Sequence, residues 1–310
     1  MTLQIPLIVI LILIGALVGI SMSFVGQTGQ GVVVPFILLI SGDVILAITV
    51  NLLNDFLAAI AVGINYVRNN EFYFSKNLTI LLGVSLISSF LGVLILLLTP
   101  LSTIFGWFLP VFIIILGSTV ISKGFPTSES LKETVHNISV KFLRHKRGIF
   151  NNEEIQAIPD NSTQIKEITE NKINGIIKPY SKLFFMLAVL LGIIIGFNSG
   201  LFGANSGFII TIVLIILFGY PLKKSVGTAL ILSLVMCIST FSFYQILGVG
   251  YQGRFYFNID YIFYLGIGSF VSGFIVSSYV QKLSAKAMGR GMGITMIILG
   301  ISSLIFYFIS

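Results

Sequence analysis

Charge is what this chain has least of. Asp, Glu, Lys and Arg together make up 9% of its 310 residues, against about 25% in a soluble globular chain. With 56% hydrophobic residues and a mean hydropathy of +1.03, the composition excludes a soluble domain and reads as a polytopic membrane protein. Cysteine is nearly absent too. Cys237 stands alone in an apolar run, so no disulfide can close within the chain. Histidine is absent from every apolar segment, since His136 and His145 both lie in a polar stretch. That speaks against a membrane serine protease and against haem or quinone work on helix histidines. A membrane aspartyl protease needs two intramembrane Asp residues. Only Asp55 lies well inside an apolar segment, and Asp260 sits at a helix start. The expectation is therefore no enzyme, no cofactor and no bound metal. The first residues, MTLQIPLIVILILIG, hold no Lys or Arg. A cleaved signal peptide carries a basic leader, so this stretch reads as the first membrane helix. The net charge of +7 is spread over a polar linker and short loops. It reads as positive-inside topology and not as a nucleic-acid surface.

What the chain has is long apolar runs. They lie at 5–25, 30–42, 45–67, 77–99 and 102–122, then at 183–202, 206–219, 226–248, 259–280 and 291–309. Most are long enough to span a bilayer, which takes about 20 helical residues. The exceptions are 30–42 and 206–219. The predicted architecture is an all-α polytopic membrane protein. It has membrane repeat 1 over 1–122, a cytoplasmic polar linker over 123–182 and membrane repeat 2 over 183–310. The linker carries the basic run Lys141–Arg147, with a short helix expected over 128–146. Its charged faces read as solvated or lying near anionic lipid.

The halves are copies. GALVGISMSFVGQTGQGVVVPFILLISG at 15–42 aligns without a gap on GIIIGFNSGLFGANSGFIITIVLIILFG at 192–219, pairing Gly15, Gly19, Gly26 and Gly42 with Gly192, Gly196, Gly203 and Gly219. Further on, Phe72-Tyr73-Phe74 pairs with Phe255-Tyr256-Phe257, Gly83 with Gly266, Ser89 with Ser272, and Ile114–Gly117 with Ile297–Gly300, all at a separation of 183 positions. Charge placement orients the copies. If each half crosses five times, Arg68, Lys76, Lys223, Lys224, Lys282, Lys286 and Arg290 share the linker's side, and Asp43, Arg254 and Asp260 lie opposite. Four crossings would put five of those basic residues outside. The Lys/Arg bias favours five-plus-five inverted repeats with both termini outside.

Each copy interrupts an apolar helix with glycine and neutral polar residues. Freed backbone groups need partners in lipid, and paired breaks in the two halves of a transporter mark a binding site near the midplane. The first break holds Gly26, Gln27, Thr28, Gly29 and Gln30; the second has Asn198, Ser199, Gly203, Asn205, Ser206 and Gly207. Helix starts after such breaks offer free N–H groups and a positive dipole end, and glycine lets an anion approach that backbone. Close helix packing through small residues accounts for Gly15, Gly19, Gly192, Gly196 and Gly200. After each short segment comes a second polar group: Thr49, Asn51, Asn54 and Asp55 in one half, and Gly227-Thr228 in the other. An intramembrane carboxylate such as Asp55 is by default functional, here as a coupling residue for protons or cations. Asn65, Tyr66, Tyr244 and Gln245 end the equivalent helices, and the tyrosines read as interface anchors.

These motifs resemble the sulfite exporter TauE/SafE family of membrane anion transporters. In that family each half carries a G-x-G-G-G stretch with apolar residues and a Pro, followed by a stretch like A-x-G-T-S-L. Gly26-Gln27-Thr28-Gly29-Gln30 with Pro35 takes the first place, Gly203-Ala204-Asn205-Ser206-Gly207 its equivalent, and Ser225–Leu230 the second stretch. Ala47–Asn51 lacks the Gly-Thr-Ser core, and Ile212 stands where a Pro would be. The resemblance covers roughly 10–122 and 186–308. It implies a secondary transporter for sulfite, a sulfonate, sulfoacetate or a related small anion, in the plasma membrane of a prokaryote. The substrate-binding set would be Gly26, Gln27, Thr28, Gly29, Gln30, Asn51, Asn198, Gly203, Asn205, Ser206, Gly207 and Thr228, with Asp55 for coupling. A passive anion channel and a non-transport assembly protein are the alternatives. The expected partners are a small anion and the bilayer, without nucleic acid; proton or sodium coupling and a homodimer stay open.

Overall fold

The computed structural model describes residues 4–26, 29–73, 76–98, 114–115, 118, 122, 182–203, 207–216 and 218–309. Among them the chain is all-helical. Its helices are α1 (Ile5–Val25), α2 (Gln30–Ser41), α3 (Val44–Arg68), α4 (Lys76–Leu98), α5 (Lys182–Phe202), α6 (Gly207–Ile216), α7 (Leu222–Gln252), α8 (Ile259–Val280) and α9 (Ala285–Ile309). Six of these are long and apolar enough to cross a membrane, while α2 is a shorter apolar helix. The helix expected over 128–146 lies outside the described residues, as do most of 102–122 and of the linker.

Glycine sets the ends of the short helices. Gly26 (φ 64) and Gly203 (φ 61) end α1 and α5 in the left-handed region, with N–H groups donating to Met22 O and Ser199 O, both at 2.9 Å. Gly42 (φ 67) and Gly219 (φ 68) do the same after α2 and α6. A side chain is strained in that backbone conformation, so these four paired glycines are chain-turning residues. Asp43 then starts α3, its carboxylate accepting from Ile45 N (3.1 Å) and Leu46 N (3.0 Å).

The other paired glycines do different work. Gly15 and Gly19 of α1 face the backbone of α8 at Leu265 and Ser269, and Gly196 and Gly200 of α5 face that of α4 at Ser85 and Ser89. A Cβ at any of the four would collide with a carbonyl oxygen. The backbones therefore approach as in small-residue membrane packing. Residue numbers rise together along each pair, so α1 runs parallel to α8 and α5 parallel to α4.

The two ends of the bundle have different chemistry. At one, Arg254 pairs with Asp43 at 3.1 Å, joining the end of α7 to the start of α3. At the other, Lys223 Nζ donates to Gln281 O (2.6 Å) and Asn69 Nδ2 donates to Gln281 Oε1, joining the start of α7 to the ends of α3 and α8. So α3 and α7 cross the centre antiparallel. Short α2 starts beside Asp55, midway along α3, and ends at Asp43; short α6 starts beside Ser233 of α7 and ends towards Lys223. The outward faces carry Ile5, Leu13, Ile87, Ile246 and Phe263, as a lipid-facing surface requires.

Candidate functional site

Each break begins with a helix end inside the protein, and its carbonyls need donors. Tyr66 Oη donates to Ser23 O at 3.1 Å, and Tyr244 Oη donates to Gly200 O. These are equivalent bonds. Ser23 and Gly200 each precede the turning glycine by three residues, and both tyrosines are fully buried on the central helices α3 and α7. The reading of Tyr66 and Tyr244 as interface anchors is thus corrected: each satisfies a carbonyl freed by its own half's break.

The breaks also touch each other. A Cβ on Gly207 would strike Gly26 O, so the start of α6 rests on the turn that ends α1, with Ser233 Oγ 3.2 Å from the same point. Around this junction sits one carboxylate. Asp55 Oδ1 accepts from Gly29 N at 2.8 Å, and Asp55 Oδ2 accepts from Asn51 Nδ2 at 3.1 Å. The same Asn51 Nδ2 donates to Gly203 O at 3.0 Å. Asn51 therefore ties the first half's carboxylate to the second half's break. Beside it, Asn54 Oδ1 accepts from Ser269 Oγ of α8 at 2.8 Å. Two amide atoms here, Asn51 Oδ1 and Asn54 Nδ2, are buried without a partner among the described residues.

Asp55 is the single charged residue among the buried polar side chains described. Lys and Arg side chains with described exposure, such as Arg68, Lys223, Arg254, Lys282 and Arg290, sit at helix ends or in loops and are at least partly exposed. Among the described residues the carboxylate thus has hydrogen-bond donors and no counter-charge. The copies differ at this point. In the register that pairs Tyr66 with Tyr244, Asp55 falls on Ser233 and Asn51 on Ala229, so the junction is chemically one-sided. A separate neutral cluster lies by the second break, where Ser89 and Ser199 hydroxyls lie 2.7 and 3.1 Å from Thr240 Oγ1.

Of the residues expected from sequence, Gly26, Gly29, Asn51, Asp55, Gly203 and Gly207 meet at this junction. Gln30 is buried in the first turn of α2, and Asn198 is half-buried in the last turns of α5. Gln27, Thr28, Asn205 and Ser206 lie outside the described residues. Thr228 lies elsewhere: its Oγ1 accepts from Tyr73 N (2.9 Å) and donates to Tyr73 O (3.1 Å), clamping α7 to the loop after α3. The Gly29 N–H, expected to face substrate, is taken by Asp55. Ser233 and Ser269 escaped the sequence reading, although the Tyr66–Tyr244 register marks Ser233 as the partner of Asp55.

None of the curated proteins and none of the solved structures matches the chain. A family model does, described as Sulfite exporter TauE/SafE, over residues 11–303. The match runs through both breaks, both central helices and all four paired turning glycines. The chain belongs to the sulfite exporter TauE/SafE family of membrane transporters.

Proposed function

We propose that the chain is a secondary transporter for a small anion of the sulfite, sulfonate or sulfoacetate class, built as two inverted repeats in the plasma membrane of a prokaryote. The observation that carries this reading is the meeting of the two helix breaks around Asp55. Inversion is supported by the antiparallel course of α3 and α7. It is also supported by the gathering of Lys223, Gln281 and Asn69 at one end and of Asp43 and Arg254 at the other. The basic end, with the linker, is cytoplasmic by the positive-inside rule.

Substrate lies between the breaks, held by the neutral donors of Gln27, Thr28 and Gln30 on one side and Asn198, Asn205 and Ser206 on the other. Each hydrogen bond to a charged group contributes about 1.5–3 kcal/mol, and a partly buried helix start adds up to about 2. Asp55 works against an anion there. Two like charges about 8 Å apart repel by about 2 kcal/mol at an effective dielectric constant of about 20, roughly one such hydrogen bond. An anion is therefore held well only when a cation neutralises Asp55, which couples the two fluxes.

The test is uptake of radiolabelled sulfite, thiosulfate, taurine and sulfoacetate by proteoliposomes of the purified protein. Saturable uptake of one of them, accelerated by unlabelled substrate inside, is the expected result. Flux that neither saturates nor accelerates would make the protein a channel. No flux of any of the four would leave an assembly role and sink the transport reading.

A further inference from the structure

We propose that Asp55, Asn51 and the carbonyl of Gly203 form a sodium site at the junction of the two breaks. This rests on the transport reading only in making sodium the coupling ion; the site itself stands on the arrangement of oxygens. Asn51 Nδ2 lies 3.1 Å from Asp55 Oδ2 and 3.0 Å from Gly203 O, so a carboxylate oxygen and a main-chain oxygen converge on one edge of a single amide. The other atom of that amide, Oδ1, is fully buried and has no partner among the described residues. Half a turn about the last side-chain bond exchanges the two atoms and brings three oxygens around one point. Three oxygens so placed form a ligand set for a cation, while Nδ2 takes the buried place that Oδ1 leaves.

A proton on Asp55 neutralises the carboxylate without any turn of the amide, Asn51 Nδ2 still donating to Gly203 O, but it leaves Asn51 Oδ1 unpartnered among the described residues. A hard cation takes oxygen ligands from several directions at once. The donor set carries one negative charge, so a monovalent ion leaves the buried site neutral, whereas a divalent ion leaves a net charge in the membrane interior. Gly203 adds the carbonyl end of α5, where the helix dipole is negative. Two states follow. Without the ion, the Asn51 amide nitrogen bridges the two oxygens and latches the halves together. With it, the ion does so, and the Asp55 charge no longer opposes an anion.

The site is tested by binding of radioactive sodium to purified protein with no anionic substrate present, choline replacing sodium at constant ionic strength. Saturable binding, displaced by unlabelled sodium and not by choline, is expected in the wild type. Asp55→Asn and Asn51→Leu should each weaken it by about tenfold or more, equivalent to about 1.4 kcal/mol. Asn54→Ala, outside the oxygen set, should leave it nearly unchanged. Absence of saturable binding in monodisperse wild-type protein overturns the site, as does full binding in Asp55→Asn. The two readings fail separately. Sulfite exchange without sodium binding removes the site and keeps the transporter, and sodium binding without flux of any tested anion does the reverse.

Discussion

At the scale of single residues, the two buried tyrosines are the sharpest marks of what a helix break requires. Tyr66→Phe leaves Ser23 O without its donor, and Tyr244→Phe does the same to Gly200 O. A buried acceptor left unpaired is destabilising by about 1–3 kcal/mol. Each variant should melt at lower temperature than the wild type in the same detergent, by similar amounts; unchanged melting in both would mean that the carbonyls do not depend on these hydroxyls. Thr228 separates structural from substrate roles. Thr228→Val removes both hydrogen bonds to the Tyr73 backbone, so it should lower thermal stability while leaving the KM for the transported anion as it was. A raised KM with unchanged stability would return Thr228 to the substrate site. Sequence reasoning placed Thr228 with Asn51 because their motifs align. On the helix it points to the loop at 71–73, an orientation that depends on how α7 packs.

At the scale of elements, the glycines divide into those that turn the chain and those that let backbones touch. The boundaries of α2 and α6 were legible because Gly26, Gly42, Gly203 and Gly219 recur at equivalent positions and each takes a left-handed φ. The destination of the Gly29 N–H was not legible. It depends on α2 folding back along α3, which brings Gly29 to Asp55 across 26 positions of sequence. The packing glycines give a direct contrast. A methyl at Gly207 meets the Gly26 carbonyl, whereas one at Gly83 of α4 has nothing within 4 Å. Gly207→Ala should strongly lower the yield and melting temperature of folded protein by forcing the breaks apart. Gly83→Ala should be neutral or stabilising, up to about 1 kcal/mol from helix propensity. Equal effects would show that the breaks do not bear on one another.

At the scale of the whole molecule, composition and apolar run lengths were enough for an all-helical membrane protein, and the duplicated glycines were enough for the turns after α1, α2, α5 and α6. How the halves meet was less legible, because it rests on pairings between residues more than 150 positions apart, such as Asn51 with Gly203 and Arg254 with Asp43. Sidedness can be read on cells. With Cys237→Ser as background, single cysteines at Asn70, Gln252 and Ser284 should differ, only Gln252→Cys reacting with an impermeant thiol reagent from outside. Labelling of Ser284→Cys from outside would contradict the inverted arrangement. The one-sided carboxylate has a consequence for the whole cycle. If a cation must neutralise Asp55 before an anion is carried against its gradient, Asp55→Asn makes that neutralisation permanent while keeping the shape of the side chain. The decisive measurement compares wild type and Asp55→Asn in proteoliposomes for gradient-driven accumulation and for one-to-one exchange of the same labelled anion. Loss of accumulation with exchange preserved is the expected result; accumulation equal to wild type would contradict a coupling junction at Asp55.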